Sequence, residues 1–124
     1  RTERDGRASG VAFELSRDGA TLHARTGHWP TPIALAARLR WLARERPDLA
    51  SRASHALALS DWIAWRMTGI ATTDPSQAST SGLLDIASCS WANDLVASSG
   101  MRSSVLPPIR PAGTNLGPLR DDAA

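Results

Sequence analysis

The sequence predicts an α/β fold that is mostly helical, with one or more short strands, and three observations carry that expectation. Leu35, Leu39 and Leu42 recur at helical spacing with Ala36 and Ala43 beside them, the apolar stripe of an amphipathic helix. Segment 61–68 has helix signals at both ends, yet Trp62, Ile63, Trp65 and Met67 point in several directions around its axis. A short helix apolar nearly all round belongs inside a larger structure than a small free-standing domain provides. Between these two helices, the apolar run 55–59 is long enough for one buried strand.

Composition narrows the class. A chain of 124 residues is one domain by size, and it can bury only a modest core. All basic residues are arginine, and with the abundance of alanine that reads as coding bias. Fourteen arginines against 12 acidic residues leave a net charge of only +2. The sequence pI near 9.9 therefore reflects the missing lysine and tyrosine rather than a strong field. A nucleic-acid partner would require basic residues clustered on one face, so none is expected. Cys89 is the only cysteine, which excludes an internal disulfide and favours a reducing cytoplasm. No stretch approaches the roughly 20 apolar residues of a membrane span and no secretory leader opens the chain, so no membrane partner is expected. The start at Arg1 rather than Met suggests that upstream sequence is missing or was removed.

Along the chain, Ala8, Val11, Ala12 and Leu15 repeat at three and four and read as a helix that stops at Asp18-Gly19. The competing reading is a hairpin with strands 11–15 and 20–24. A turn-rich passage from Thr26-Gly27 leads to Thr31 as N-cap and Pro32 at the first helical position of the leucine-striped helix, which Pro47 ends. Arg40 and Arg44 are expected toward water. Trp41 lies off the leucine stripe and predicts a second contact on another face. Ser60 is expected to cap helix 61–68, and Gly69 to close it. Segment 71–78 is polar and turn-like. A last helix is expected from Ser90 through Val96, ended by Ser98-Ser99-Gly100, before a Pro/Gly-rich crossing loop with weak strand character near 116–119.

Chemistry-bearing motifs are sparse. There is no GxxxxGK[ST], no GxGxxG and no Asp-x-Gly-Thr, so the chain lacks a glycine-rich phosphate cradle. His23, His28 and His55 lack metal-ligand spacing, and no metal site is expected. Cys89 reads as an ordinary thiol. Asp5, Asp61, Asp74 and Asp85 sit at element boundaries, where carboxylates cap backbone amides. Of the five tryptophans, Trp29, in a loop between His28 and Pro30, is the candidate surface platform.

From Thr26 onward the sequence resembles the FGGY family of carbohydrate kinases, most closely its xylulose kinases. Arg38-Leu39-Arg40-Trp41-Leu42 followed by Pro47 is similar to the family's Lys-x-x-Trp helix signature. Asp61-Trp62-Ile63-Ala64-Trp65-Arg66-Met67-Thr68-Gly69 resembles its Asp-Tyr-x-x-x-Arg-hydrophobic-Thr-Gly stretch, and Thr73-Asp74-Pro75-Ser76-Gln77-Ala78-Ser79 its Thr-Asp-x-Ser-x-Ala-Ser segment. Asp5-Gly6-Arg7 resembles the Asp-x-Arg near the sugar pocket, with Glu3 in place of the preceding tryptophan. The signature's lysine is Arg38 here, and Arg is not a neutral exchange for Lys.

The resemblance implies a partial actin-like (ribonuclease H-like) domain, with residues 1–124 an internal portion of the N-terminal domain and the C-terminal ATP-binding domain absent. It also implies a helix for the first element. The implied activity is ATP-dependent phosphorylation of a hydroxyl of a ketopentose such as D-xylulose, in the cytoplasm, by the longer enzyme. ATP and Mg²⁺ would bind segments outside this chain, with the phosphate loop before Arg1 and the catalytic aspartate after Ala124. No catalytic, cofactor or metal residue is expected within the chain, which alone would be inactive. Asp5 and Arg7 are the implied substrate-binding pair. Ile33 stands where glycerol-specific kinases place a substrate-contacting tyrosine, which argues against a glycerol site. The implied partners are the sugar, ATP and the remainder of the kinase chain, and a homodimer is compatible. The alternatives are a kinase for another sugar or polyol, a noncatalytic relative, a helical interaction module using the tryptophan-rich stretch 61–67, and a carbohydrate-binding module using Trp29.

Overall fold

The computed structural model describes residues 6–123; Glu3 and Asp5 lie outside them. The order is α1 (Ser9–Leu15), a 3-10 turn (Ser16–Asp18), α2 (Gly19–Thr26), α3 (Leu35–Glu45), α4 (Pro47–Arg52), α5 (Leu59–Thr68), α6 (Pro75–Ser79), β1 (Leu84–Asp85), β2 (Ser90–Trp91) and α7 (Asn93–Ser98), then 3-10 turns at Ser103–Val105 and Asp121–Ala123. The mostly helical α/β expectation holds, with one small sheet among the described residues. Its two strands are antiparallel, Leu84 opposite Trp91 and Asp85 opposite Ser90.

The first stripe is helical, not a hairpin, and Ala8, Val11 and Ala12 are buried. Gly19 does not stop it. A 3-10 turn bends the chain into α2, which Gly27 closes in the left-handed conformation at φ 74°. Gly19 is glycine for another reason: a Cβ there would lie 2.5 Å from Cζ2 of Trp29, whose ring packs onto the helix start.

α3 has two working faces. Leu39, with Leu35, Ala36 and Ala43, enters a core of Leu83, Val96, Met101, Val105 and Leu106. Ala37 and Trp41 face Ala8, Val11 and Ala12 of the α1 cluster, which is the second contact that Trp41 predicted. α3 begins later than the sequence suggested: Ala34 accepts the N-cap place without a side-chain bond, and Thr31-Pro32 form a preceding turn closed by Ala34 N–H to Thr31 O at 3.1 Å. Arg44 reaches solvent and pairs with Glu14 at 2.8 Å, whereas Arg40 is half-buried. Pro47 ends α3 and also opens α4, its missing N–H costing nothing at a first helical turn.

Four local expectations are corrected. Segment 55–59 forms no strand: Leu59 opens α5, His55 is exposed and 56–58 are half-buried, with Ala56 N–H donating to Val105 O at 2.7 Å. α5 starts at Leu59, so Ser60 is inside the helix and not its cap, although Gly69 closes it at φ 78°. Ser90 belongs to β2 and α7 begins at Asn93, because Leu83 O is taken by Ala92 N–H at 2.8 Å. The tail is irregular at 111–120, with no strand near Leu116, and its one bridge is the parallel pair Thr73–Ile109.

Arg25 ties α2 to the hairpin and to α7. Its Nε donates to Asp85 at 3.0 Å and its Nη2 to Asp94 at 2.8 Å. The guanidinium holds both carboxyls below their usual range. No described helix is long and apolar enough to cross a membrane.

Candidate functional site

Asp61 carries the local chemistry. It occupies the first turn of α5, where the Thr73 hydroxyl and the Ala58 amide both favour its ionised form. An acidic side chain in a first helical turn is favoured by the helix dipole. Asp61 is nevertheless only 8% exposed. Burial is the largest influence on it and pushes the carboxyl up, opposed by the Thr73 bond and helped by the nearby Asp74. Asp74 caps α6 through Gln77 N–H at 3.0 Å, and Asp85 accepts the Ala87 and Ser88 amides at 3.0 and 3.2 Å. Two of the boundary carboxylates, Asp74 and Asp85, thus hold backbone amides.

Asp61 also lines a cavity of about 240 Å³ with Ile33, Arg38, Thr73, Gln77 and Trp91. Each wall is fixed from outside. Trp91 Nε1 donates to Pro107 O at 2.8 Å, and Gln77 Oε1 accepts from Ser60 at 3.3 Å. Arg38 Nε makes a long 3.5 Å contact with Pro32 O, bridging α3 to the turn that carries Ile33. A guanidinium, a carboxamide and a carboxylate therefore line one cavity, beside apolar and aromatic surface. Such a set can hold a small polar molecule by hydrogen bonds with one apolar edge.

Of the residues expected from sequence, Ile33 is 51% exposed and lines this cavity. Arg7 does not line it: the guanidinium carbon sits 4.9 Å from the centre of the Trp41 ring, a cation–π arrangement. α3 links the two positions, since Arg38 faces the cavity and Trp41, one turn on, carries Arg7. Asp5 lies outside the described residues. Arg38, Asp61, Thr73, Gln77 and Trp91 were not legible as cavity residues, although a carboxylate on an otherwise apolar helix was a signal.

The other candidates are placed as follows. Trp29 is half-exposed, its ring edge lies on Gly19, and it lines a smaller apolar cavity of about 50 Å³ with Leu15, Leu22 and Ala37. Cys89 is exposed at the hairpin tip with φ 51°. No described group of three His, Cys, Asp or Glu side chains could hold a metal ion.

One change tests the Asp61 environment. Its folded pKa is raised, so the folded chain binds this proton more tightly than the unfolded chain does. The ionised group subtracts stability above the raised value, and the loss vanishes as pH falls below the unfolded value near 4. Asp61→Asn keeps an acceptor for Thr73. It is expected to raise Tm by about 3 °C at pH 7 and not at pH 4. Thermal unfolding followed by circular dichroism across that range checks it, and an equal shift at both ends contradicts the assignment.

Comparison with known proteins adds the family. Residues 2–124 match the model for the FGGY family of carbohydrate kinases, N-terminal domain. Over 94 residues the chain is 44% identical to the autoinducer-2 kinase of Salmonella typhimurium, covering 74% of this chain and 18% of that protein. The structure of gluconate kinase from Lactobacillus acidophilus superposes with a TM-score of 0.90 at 22% identity, over 98% of this chain and 25% of that one. The xylulose kinase from Rhodospirillum rubrum superposes with a TM-score of 0.80 at 28% identity, over 96% and 24%. The fold is therefore that of part of an actin-like sugar kinase. The chain spans about a fifth of the length of the curated relatives it matches.

Proposed function

Since the chain belongs to the FGGY family of carbohydrate kinases, we propose that it is an internal portion of the N-terminal domain of a longer ATP-dependent kinase. That enzyme transfers a phosphoryl group to a hydroxyl of a small polyhydroxylated carbonyl compound. The observation that carries this reading is the family match across residues 2–124. A ketopentose such as D-xylulose is one substrate reading, supported by the likeness to the Rhodospirillum rubrum enzyme. Autoinducer-2 is the second, favoured by the 44% identity to an autoinducer-2 kinase.

The described residues do not fit the nucleotide or its Mg²⁺. A phosphate cradle needs successive backbone amides at a helix N-terminus, whereas the left-handed glycines Gly27 and Gly69 each sit at a helix C-terminus. ATP and Mg²⁺ are accordingly assigned to the remainder of the kinase, and no step is derived through them. What this chain contributes is positioning. Asp5 and Arg7, the latter stacked on Trp41, are the residues proposed to hydrogen-bond the sugar. Ile33 presents apolar surface where a polyhydroxylated ligand has a bare carbon edge. Fixed donors and apolar walls supply orientation, which is the larger part of what a phosphoryl-transfer protein must provide.

The test is ADP release on a panel of pentuloses, hexuloses, polyols and autoinducer-2. The 124-residue chain alone is expected to show no ATP-dependent phosphorylation. A chimaera in which it replaces the matching segment of the Salmonella autoinducer-2 kinase is expected to be active. Arg7→Ala in that chimaera is expected to raise KM about tenfold, the loss of one charge-assisted hydrogen bond. Phosphorylation of D-xylulose by the isolated chain would sink the proposal, as would a folded chimaera inactive on every compound.

A further inference from the structure

Arg40 stands where the leucine stripe of α3 predicted a solvated side chain, yet it is half-buried. It lines the cavity of about 50 Å³ beside Trp29. That space exists because α3 and its N-cap offer only methyl groups there, Ala34, Ala36 and Ala37, together with Leu15 and Leu22. The Trp29 ring is held at the cavity by its packing onto Gly19, where a Cβ would lie 2.5 Å from Cζ2, and the His23 ring lies 6.4 Å away. A water-sized group occupies about 10–15 Å³ of such space, so the cavity takes roughly four in a row. Its polarity is one-sided. The hydroxyls of Thr26 and Ser98 donate to Leu22 O and Leu95 O, both at 2.8 Å, and that of Ser99 to Val96 O. No carboxylate lines the cavity, and Arg40 is the permanently charged side chain that does. Arg40 makes no ion pair among the described residues. Glu14 feels its charge, but it also feels Arg17 and is bonded to Arg44 at 2.8 Å, so one carboxylate is shared by three guanidinium groups.

We propose that this cavity binds a short-chain aliphatic monocarboxylate, with its carboxylate on Arg40 and a hydrocarbon chain of about four carbons beside Trp29. A half-buried cation next to apolar walls selects an anion with an apolar body, because each half of the ligand meets its complement. A neutral apolar molecule leaves the guanidinium without a counter-charge, and a compact anion leaves the apolar space empty. The site is separate from the cavity lined by Asp61, with which it shares no lining residue. It therefore goes beyond the kinase reading and does not depend on it.

Titration of pentanoate at pH 7, followed by the tryptophan indole N–H signals in nuclear magnetic resonance, tests this. The Trp29 signal, assigned by its loss in Trp29→Phe, is expected to shift saturably with half-saturation at about 1–10 mM. Two probes dissect the site in the unaltered chain. 1-Pentanol keeps the hydrocarbon and lacks the charge, acetate keeps the charge and lacks the hydrocarbon, and each is expected to bind at least about tenfold more weakly. Pentanol binding as tightly as pentanoate marks a merely apolar hole and overturns the proposal. Acetate binding as tightly marks a surface anion site and also overturns it. So does the absence of a saturable shift, in a chain folded or not. Arg40→Gln is expected to weaken pentanoate about tenfold and leave pentanol unchanged. The probe comparison stands whether or not that variant folds. The autoinducer-2 kinase chimaera is expected to give the same half-saturation for pentanoate, and a cavity that no longer responds there overturns the proposal.

Discussion

Leu83→Ala is expected to lower the unfolding free energy by about 3 kcal/mol, the middle of the range for emptying a leucine site in a packed core. Leu83 is 1% exposed and packs with Leu39, Val96, Met101, Val105 and Leu106. Its backbone is pinned on both sides: the amide donates to Ser81 Oγ at 3.0 Å, and the carbonyl accepts from Ala92 N–H at 2.8 Å. The chain therefore cannot settle into the vacated space by moving residue 83. Met101 is the adaptable neighbour, and its repacking sets the lower bound. Small domains have roughly 5–15 kcal/mol in total, so the variant retains a folded state of much reduced margin. Urea unfolding measures it. Leu83→Met, which conserves volume, is the control and is expected to cost less than about 1.5 kcal/mol. A loss below about 1 kcal/mol in the alanine variant means that the core is not closed around this side chain.

Gly100→Val is expected to cost a similar amount, about 3 kcal/mol, from two additive causes. Gly100 has φ 81°, a left-handed conformation that penalises any Cβ and a β-branched one most. A Cβ at this position would also lie 3.0 Å from Ala43 Cβ on α3, and neither group can swing aside. Gly113 separates the two causes, because it has φ 84° with nothing within 4 Å of its added Cβ. Gly113→Val isolates the conformational part, expected at about 1–2 kcal/mol. The difference between the two variants in urea unfolding is the packing part. Equal losses show that α3 gives way.

Helices with a strong one-sided pattern were legible in the sequence. α1 and α3 follow their stripes, and the off-stripe Trp41 announced the second face of α3. α2 was not legible, because Gly19 reads as a stop when judged on propensity, and only the ring of Trp29 shows why a glycine opens that helix. The hairpin was missed since its strands have two residues each, too short for a period, and Ser90-Trp91 looks like a helix start. The caps of α3 and α5 were misplaced by the same error: a serine or threonine near a boundary was credited with a role that Ala34 and Ala58 fill without side-chain bonds. For the site, the resemblance to known kinases named Ile33, and that residue lines the cavity. Nothing local could show that Thr73, Gln77 and Trp91 meet it, because loops and turns bring them there. The likeness to known kinases reached the family and the fold, while substrate choice depends on a few groups that no pattern in the sequence singles out.

Arg25 carries a consequence for the order of folding. Its two carboxylate partners lie 60 and 69 residues further along the chain. Closing loops of that length has an entropic cost that local helices do not meet. The fork therefore forms after α2, the hairpin and α7 are already in place. An interaction made that late leaves the speed of folding nearly untouched and acts on the way out, slowing the departure of α2. Exposed to solvent on one side, it does so less as salt rises. The clamp is thus a brake on unfolding rather than a guide to the fold.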